Sequence, residues 1–301
     1  MERRSQRQLS VPLGEAVARA CGSRPVAWES RRERGYTQNE RWSVVLEDGR
    51  RVFVKGAVDE LSAGWLRAEH RVYAGVEAPF LPLLVGWHGG ELPVLVLEDL
   101  SDAGHAPPWD EARVSAVLSA LREVAATEPP PGVPPVSAFA EDWRNRWGIV
   151  RDDPEPFLAL GLCSRRWLDE ALPALDDAAR TAPLAGDGLL HMDVRSDNLC
   201  FVGGRAVLYD WNWACVGDPR LDVACWLPSL RAEGGPEPEQ ILPDVPAGFP
   251  ALLAGVWAAV AGLPPPPPTR PPGVRAIQVA QLGVALPWAA RALGLGGIRE
   301  T

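Results

Sequence analysis

Three polar residues in one short stretch of the chain have the types and the spacing that phosphate chemistry needs. Asp193 and Asn198 lie five positions apart, and Asp210 follows Asn198 after twelve. Apolar runs flank Gly203 and Gly204, which predicts a tight β-hairpin with positive φ at both turn residues. Because a hairpin folds its two ends together, we expect Asp193, Asn198 and Asp210 to converge.

Phosphoryl transfer from ATP requires the groups that these residues carry. One carboxylate orients or deprotonates the accepting hydroxyl, while an amide and a second carboxylate hold Mg²⁺ at the phosphates. Mg²⁺ prefers one or two carboxylates together with phosphate oxygens to a cage made only of protein ligands. Each residue alone is more simply interpreted as an ordinary polar loop position, but the three spacings together favour a site.

A single lysine is the second chemical signal. Of the 30 basic residues 29 are arginine, and Lys55 ends the apolar run 51–54, which is typical of a strand. The planar fork of arginine and the compact ammonium of lysine are not interchangeable. Glu69 follows fourteen positions later, on a predicted helix from Leu61 to Gly75. We expect it to pair with Lys55, the alternative being an exposed glutamate on a surface helix.

The elements that must position these residues follow from hydrophobic periodicity. Strands are predicted at 26–28, 41–46, 51–54, 83–87 and 92–97. Helices are predicted at 10–21, 61–75, from 109 to the proline run at 129–135, and at 138–150, 155–180, 221–230, 249–262 and 273–293. Asp48 and Gly49 are predicted to form a hairpin turn, and Pro287 to kink the last helix.

Three motifs resemble one known superfamily. They are His-x-Asp-x-x-x-x-Asn at 191–198, Asp-Trp at 210–211 and Gly-Asp-Pro-x-x-Asp at 217–222. The segment is similar to the catalytic segment of the aminoglycoside phosphotransferase and choline kinase-like superfamily, whose members are relatives of the protein kinases. The resemblance implies an α+β, two-lobed protein-kinase-like fold. It has a small antiparallel β-sheet N-lobe with one helix and a larger, mostly helical C-lobe.

The resemblance also implies a division of roles along the chain. Residues 1–100 would form the nucleotide-binding lobe, and residues 101–301 the helical lobe with the catalytic loop and the acceptor site. The loop at 34–39 would cover the phosphates, although its single glycine fits a solvated turn as well. His88 and His105 are interpreted as loop histidines.

Individual residues receive roles from the same resemblance. Asp193 would be the catalytic base, Asn198 and Asp210 would bind Mg²⁺, and Lys55 with Glu69 would position the phosphates of ATP. The strand end that carries Glu98 and Leu100 resembles the hinge, whose backbone groups would meet adenine. Asp222 would brace the catalytic loop through backbone amides.

The chain departs from the superfamily pattern at three positions of its motifs. Met192 stands where a small or basic residue is usual, and Arg195 where histidine or lysine is common. Arg195 could stabilise charge on the transferred phosphoryl group. Asn212 replaces a common acid, which leaves a second metal site in doubt.

Composition limits the partners and the compartment. A net charge of −9 argues against nucleic acid as a main partner, because phosphate backbones select basic surfaces. No apolar run is long enough for a signal peptide or a bilayer span, and five cysteines without a Cys-x-x-Cys pair favour reduced, buried thiols. We therefore expect a cytoplasmic protein, a monomer or weak dimer, without a membrane partner.

The acceptor is predicted to be a small hydroxylated molecule, and the acidic residues favour a cationic one. Acids around the predicted acceptor site would attract amines; they are Glu141, Asp142, Asp152, Asp153 and Glu155. An aminoglycoside or another amino sugar is therefore favoured. Choline-like alcohols remain an alternative because tryptophans could cage a quaternary nitrogen; the candidates are Trp143, Trp147, Trp211 and Trp213. A neutral sugar is a further alternative.

Other classes of protein fit less well. A metal-dependent hydrolase could use His191, Asp193 and Asp210 as ligands, but the chain has only four histidines. A Walker-type NTPase is excluded because the one lysine does not follow a glycine-rich loop. A protein kinase would need an activation segment between Asp210 and Asp222, where twelve positions leave little room. The main alternative to an enzyme is a catalytically inactive, nucleotide-binding module of the same fold.

Overall fold

The computed structural model describes residues 8–31, 39–264 and 273–298. Helices in these ranges are α1 (Val11–Cys21), α2 (Glu60–Gly75), α3 (Glu111–Ala126), α4 (Ser137–Arg144), α5 (Arg146–Asp152), α6 (Glu155–Leu158), α7 (Arg165–Arg180), α8 (Pro219–Ala232), α9 (Pro238–Ile241), α10 (Gly248–Ala261) and α11 (Val274–Ala292). Strands are β1 (Pro25–Ser30), β2 (Glu40–Leu46), β3 (Arg51–Gly56), β4 (Leu84–His88), β5 (Val94–Glu98), β6 (Gly188–Leu190), β7 (Leu199–Val202), β8 (Arg205–Leu208) and β9 (Cys215–Gly217). The predicted phosphate-covering loop at 34–39 lies outside the described residues except for Asn39.

The chain divides into two compact units. The first comprises residues 1–105, 129–133 and 197–214, and the second comprises residues 106–128, 134–196 and 215–301. The predicted division of roles between 1–100 and 101–301 remains a prediction.

The first unit contains an antiparallel sheet in the order β1-β2-β3-β5-β4. Helix α1 begins where the Ser10 hydroxyl accepts a hydrogen bond from the Leu13 amide, and it ends at Gly22, whose φ of 67° suits glycine. Its Leu13 and Val17 pack with buried residues of the sheet. Burial of such side chains contributes about 1.5–3 kcal/mol each to folding.

The turn between β2 and β3 sets which residues face one another. The Leu46 amide donates to the Arg50 carbonyl at 2.9 Å, and Gly49 has a φ of 86°. The connection therefore has the three-residue form, with glycine in the left-handed position, not the two-residue form. In this register Arg41 lies directly opposite Lys55.

Helix α2 carries its polar residues at defined positions. Asp59 and Ser62 form a reciprocal capping box at its start, with the Ser62 amide donating to the Asp59 carboxylate at 2.7 Å. Leu66, Glu69 and Tyr73 recur at helical spacing and are buried. Glu69 is thus placed on the packed side of the helix, not the solvent side.

The β7–β8 hairpin confirms the prediction made from its two glycines. Gly203 and Gly204 have φ values of 57° and 79°, and Leu199 pairs with Leu208 at the far end. Two consecutive positive φ values characterise the turn type that matches the twist of the strands.

The second unit has a helical core around α10, which packs against α11, α7 and α5. The indole N–H of Trp147 donates to the Ala251 carbonyl at 2.9 Å, and both residues are fully buried. A Cβ on Gly255 would lie 2.7 Å from the Trp147 ring nitrogen, so the close approach of α5 and α10 requires glycine there.

Two predicted helices are each divided in the structure. The helix predicted at 138–150 breaks at Asn145, where α4 ends and α5 begins. The helix predicted at 155–180 breaks at Gly161, which has a φ of 67°, and α7 starts with Ser164 as a new N-cap. Helix α11 includes Pro287 within its span. Among the described residues no helix has the length and apolar content needed to cross a membrane.

Candidate active site

A buried ion-pair cluster is the chemical centre of the first unit. The Nζ atom of Lys55 lies 2.7 Å from Oε2 of Glu69 and 2.9 Å from Oδ1 of Asp210. The side chains of Lys55 and Glu69 are 3% and 1% exposed, and that of Asp210 is 15% exposed. The structure thus brings strand β3, helix α2 and the end of the hairpin to one ammonium group.

The charges in this cluster shift one another. Burial raises the pKa of Glu69 to about 7, although the charge of Lys55 opposes the shift. Burial also acts to raise the pKa of Asp210, but Lys55 and Arg41 more than offset it, so that pKa lies below its usual range. The pKa of Lys55 is raised despite burial because Asp210 and Glu69 favour the charged form.

Asp210 is held by its neighbours in an unusual backbone conformation. Its φ is 74°, in the left-handed region that non-glycine residues rarely adopt. The next residue, Trp211, is fully buried and donates its indole N–H to the Leu208 carbonyl at 3.0 Å. This anchor fixes the chain on the side that follows Asp210.

Asn198 stands at the other end of the same hairpin. It immediately precedes β7, is 2% exposed, and its carbonyl accepts a hydrogen bond from the Tyr209 amide at 3.0 Å. Asn198 and Asp210 are therefore brought together by the pairing of β7 with β8.

A cavity of about 490 Å³ opens beside these residues within the first unit. Its lining includes charged and polar groups together with apolar strand residues; among them are Arg41, Ser43, Phe53, Lys55, Leu97, Glu98, Leu100, His105, Asp197, Asn198, Tyr209 and Asp210. The volume lies in the range of small-molecule sites. The amide and carboxylate oxygens of Asn198 and Asp210 are the donors that Mg²⁺ accepts, and Lys55 supplies a charge for phosphate. These residues fit a magnesium-bound nucleotide.

Glu98 and Leu100 both line this cavity. The Glu98 amide donates to the Leu83 carbonyl at 3.0 Å, and the Glu98 carboxylate accepts from the Leu83 amide at 2.9 Å. The Leu100 carbonyl accepts from the Ala103 amide at 3.0 Å. The Glu98 side chain thus stabilises the strand end, and its predicted contact with adenine would fall to backbone atoms.

In the second unit, Asp222 holds the segment before the predicted base. Its two carboxylate oxygens accept hydrogen bonds from the amides of His191 and Met192, each at 2.8 Å. Burial raises the pKa of Asp222 to about 6, although both hydrogen bonds act to lower it. Met192 has a φ of 66°, so this brace holds a turn that the backbone would not favour alone.

Asp193 follows this turn and contacts Arg195. The Arg195 guanidinium lies 2.5 Å from Oδ1 of Asp193, with the two side chains 18% and 24% exposed. The Asp193 amide donates to Nδ1 of His191 at 3.2 Å, which engages the His191 ring in the loop. Asp193 belongs to the second unit and Asn198 to the first, so the predicted convergence of Asp193 with Asn198 and Asp210 stays a prediction.

The structure adds a contact that sequence reasoning missed. Glu233, at the end of α8, accepts a hydrogen bond from the Ser196 hydroxyl at 2.6 Å and from the Trp109 indole at 2.8 Å. Both of its oxygens accept hydrogen bonds, so Glu233 connects the loop after Asp193 and the segment that precedes α3 to the end of α8. The partners are distant in sequence, and no spacing signal links them.

The cavity residues Arg41, Ser43 and Phe53 were also missed, and His105 was interpreted only as a loop histidine. The alternation of side chains along a strand could have indicated the strand residues among them, because residues two positions apart on a strand lie on the same face. Phe53 shares the Lys55 face of β3 and is paired with Ser43, while Arg41 is paired with Lys55. Using this signal requires the register of the β2–β3 hairpin.

Known proteins resemble the chain in sequence pattern and in fold. A family model described as the phosphotransferase enzyme family matches residues 31–263. No curated protein sequence matches the chain. The apo structure of a thermostable mutant of aminoglycoside phosphotransferase APH(4)-Ia is 16% identical, with a TM-score of 0.57 over 94% of this chain and 100% of that one.

Two ligand complexes show the same likeness. A variant of that enzyme in a ternary complex with AMP-PNP and hygromycin B is 16% identical, with a TM-score of 0.57, covering 96% of this chain and 99% of that chain. Spectinomycin phosphotransferase APH(9)-Ia, in complex with ADP and spectinomycin, is 12% identical, with a TM-score of 0.54, covering 95% and 99%. At these identities the likeness concerns the fold, and it confirms the predicted α+β protein-kinase-like fold. Because the family model matches most of the chain, this protein belongs to the phosphotransferase enzyme family.

Proposed function

We propose that this protein is an ATP-dependent small-molecule kinase that transfers the γ-phosphate of ATP to a hydroxyl of a small, cationic acceptor. The observation that carries the proposal is the ion-pair cluster of Lys55, Glu69 and Asp210, in which Lys55 and Asp210 line one cavity together with Asn198. Phosphoryl transfer needs positioned phosphates and neutralised charge more than it needs covalent chemistry from the protein. A buried ammonium next to oxygen donors for a metal provides both.

The residues of the first unit would bind the nucleotide. Asn198 and Asp210 would hold Mg²⁺, which when bound neutralises phosphate charge and orients the γ-phosphoryl group. Lys55, oriented by Glu69 at 2.7 Å, would bind phosphate oxygens. Backbone groups near Glu98 and Leu100 would contact adenine, since both residues line the cavity.

Asp193 would accept the proton of the acceptor hydroxyl. Its position five residues before Asn198 supports this role, as do the two hydrogen bonds that the preceding turn donates to the Asp222 carboxylate. The contact of Arg195 with Asp193 keeps a guanidinium beside the carboxylate. Arg195 would hold the base in place and stabilise negative charge that develops on the transferred group.

The acceptor is proposed to be an aminoglycoside or another amino sugar. The net charge of −9 supports a cationic acceptor, and solved structures of this fold contain hygromycin B and spectinomycin. Two of the five acids named for the acceptor site, Asp142 and Glu155, form ion pairs with Arg146 and Arg165. The proposal therefore depends on the overall charge and on the remaining acids.

Two of the four tryptophans named as a possible aromatic cage for choline are parts of the hydrophobic core. Trp147 and Trp211 are fully buried, and their indole N–H groups donate to backbone carbonyls. Buried rings engaged in this way are parts of the core and cannot enclose a quaternary nitrogen. A cytoplasmic location and a monomeric or weakly dimeric state remain predictions.

Incubation of the purified protein with Mg-ATP and a panel of alcohols tests the proposal. The panel should contain aminoglycosides, amino sugars, choline and neutral sugars, with phosphorylated product detected by mass spectrometry and ³¹P NMR. We expect a phosphate ester on a hydroxyl of an amino-bearing acceptor. Binding of ATP without product across the whole panel would instead favour the inactive nucleotide-binding module.

A further inference from the structure

Arg41 is a second cation beside Lys55 in the cavity of the first unit. The two residues are directly paired across β2 and β3, so their side chains leave the sheet on the same face, with Cβ atoms about 4.5–5.5 Å apart. Arg41 is only 7% exposed and Lys55 only 3%. Both line the cavity together with Asn198 and Asp210.

The charge balance of this cavity calls for a cation in addition to Lys55. Among the residues that the structure describes, three cationic side chains line it: Arg31, Arg41 and Lys55. Five carboxylates of the same described residues line it as well: Glu29, Glu98, Asp99, Asp197 and Asp210. A polyphosphate entering such a site meets repulsion unless positive charge is placed where it lies.

Carboxylates lie beside the cations of this cavity. Lys55 lies 2.7 Å from Glu69 and 2.9 Å from Asp210, so its single charge faces two negative ones. Arg31 pairs with Glu29 at 3.1 Å, and its side chain is 37% exposed. When all four groups are ionised, Lys55, Arg41, Glu69 and Asp210 together carry no net charge, and without Arg41 the other three carry one negative charge.

We propose that Arg41 is a phosphate-binding residue of the nucleotide site, acting beside Lys55 through its guanidinium fork. The proposal rests on the proposed function and deepens it. An arginine fork can donate two parallel hydrogen bonds to phosphate oxygens, which a lysine ammonium cannot do in the same geometry. The positive charge of Arg41 also acts on the neighbouring groups, since it helps to lower the pKa of Asp210 and acts to lower the pKa of Lys55.

Nucleotide binding by Arg41→Gln and Arg41→Lys tests the proposal without relying on turnover. Calorimetry would measure affinity for Mg-ATP, and ligand-observed NMR would measure adenosine, which carries no phosphate. The matched control is Arg19→Gln, which removes the same charge from an exposed position on α1 that is 59% exposed. Circular dichroism would compare the folded state of all variants.

We expect Arg41→Gln to weaken Mg-ATP binding by about ten- to 100-fold and to leave adenosine binding within about twofold of wild type. Arg41→Lys should fall between the two, because it keeps the charge and loses the fork. Arg19→Gln should bind both ligands as wild type does.

Two results would overturn the role of Arg41. One is equal Mg-ATP affinity in Arg41→Gln and wild type. The other is a loss of ATP and adenosine affinity by the same factor, which would make Arg41 a structural residue of the sheet. A wild-type protein that does not bind Mg-ATP at all would refute the proposed function itself, a result that the comparison with wild type separates from the other two.

Discussion

Asp193 is the residue on which turnover is expected to depend most. Replacement by asparagine keeps the shape of the side chain and one acceptor oxygen for Arg195, but it removes the carboxylate that is proposed to accept a proton. General-base assistance contributes about 10²–10⁴-fold to a rate. We expect Asp193→Asn to lower kcat by that factor and to leave Mg-ATP affinity unchanged, as measured by steady-state kinetics and calorimetry. Wild-type turnover in the variant would remove Asp193 from the mechanism.

Lys55 has a separate and testable role, because its charge and its shape can be changed independently. Lys55→Met leaves Glu69 and Asp210 buried without their cation, which should destabilise the fold by about 3–5 kcal/mol. Lys55→Arg keeps the charge and should cost about 1–3 kcal/mol through overpacking. Urea unfolding measures both.

Binding of Mg-ATP should fall in both Lys55 variants. The buried position leaves room for a compact ammonium between two carboxylates, and the wider fork of arginine cannot reproduce its contacts. Full Mg-ATP affinity in Lys55→Arg would show that the only lysine of the chain has no special role.

At the scale of elements, Asp222 of helix α8 links its own protonation to the predicted catalytic loop, because its carboxylate accepts hydrogen bonds from the amides of His191 and Met192. The pKa of Asp222 in the folded protein is raised from 3.8 to about 6, so the folded state binds more protons than the unfolded state between these values. Its contribution to the free energy of unfolding is therefore fully present below about pH 4 and is lost as the pH rises through about 6.

The expected loss of unfolding free energy between pH 5 and pH 8 is about 1.4 kcal/mol for wild type relative to Asp222→Asn. Urea unfolding of both proteins at the two pH values measures it. Asp218→Asn is the matched control on the same helix. Burial acts to raise the pKa of Asp218, but hydrogen bonds and the charge of Arg220 more than offset it, so that pKa is lowered. Asp218 should therefore contribute no change of unfolding free energy between pH 5 and pH 8. A difference between wild type and Asp222→Asn that does not change with pH would contradict the raised pKa.

The elements themselves were predictable to different degrees. The β7–β8 hairpin was predictable because Gly203 and Gly204 encode its turn locally. The short strands β6 and β9 were not, because each has only three residues and they pair across a stretch that includes the whole hairpin. The break at Gly161 is a local signal that helical periodicity on either side concealed.

At the scale of the whole molecule, charge should govern the choice of acceptor. The net charge of −9 is expected to draw in amines over distances comparable to the Debye length. Matched amino and deaminated sugars should therefore differ in kcat/KM by about tenfold or more at low salt, with the difference shrinking as salt rises. Equal kcat/KM for the two, unchanged by salt, would point to a neutral sugar or another uncharged alcohol.

The sequence by itself predicted the candidate chemistry of this protein: residue types and spacings within one segment pointed to Asp193, Asn198 and Asp210, and composition singled out Lys55. These signals are local, so they can be interpreted without knowledge of the fold. Only the tertiary structure showed which charged groups lie next to one another, since Lys55 and Asp210 are in contact although they are 155 positions apart in the chain. Burial and pKa depend on such long-range packing and have no counterpart in spacing.

The register between β2 and β3 could not be predicted from the sequence either. A two-residue turn at Asp48 and Gly49 would have placed Trp42 opposite Lys55, whereas the observed three-residue turn places Arg41 there. Because side chains alternate between faces along a strand, a shift of one position exchanges the residue in the cavity for one in the core. The packing of Trp42 in the core, where it is 1% exposed, is compatible only with the observed register.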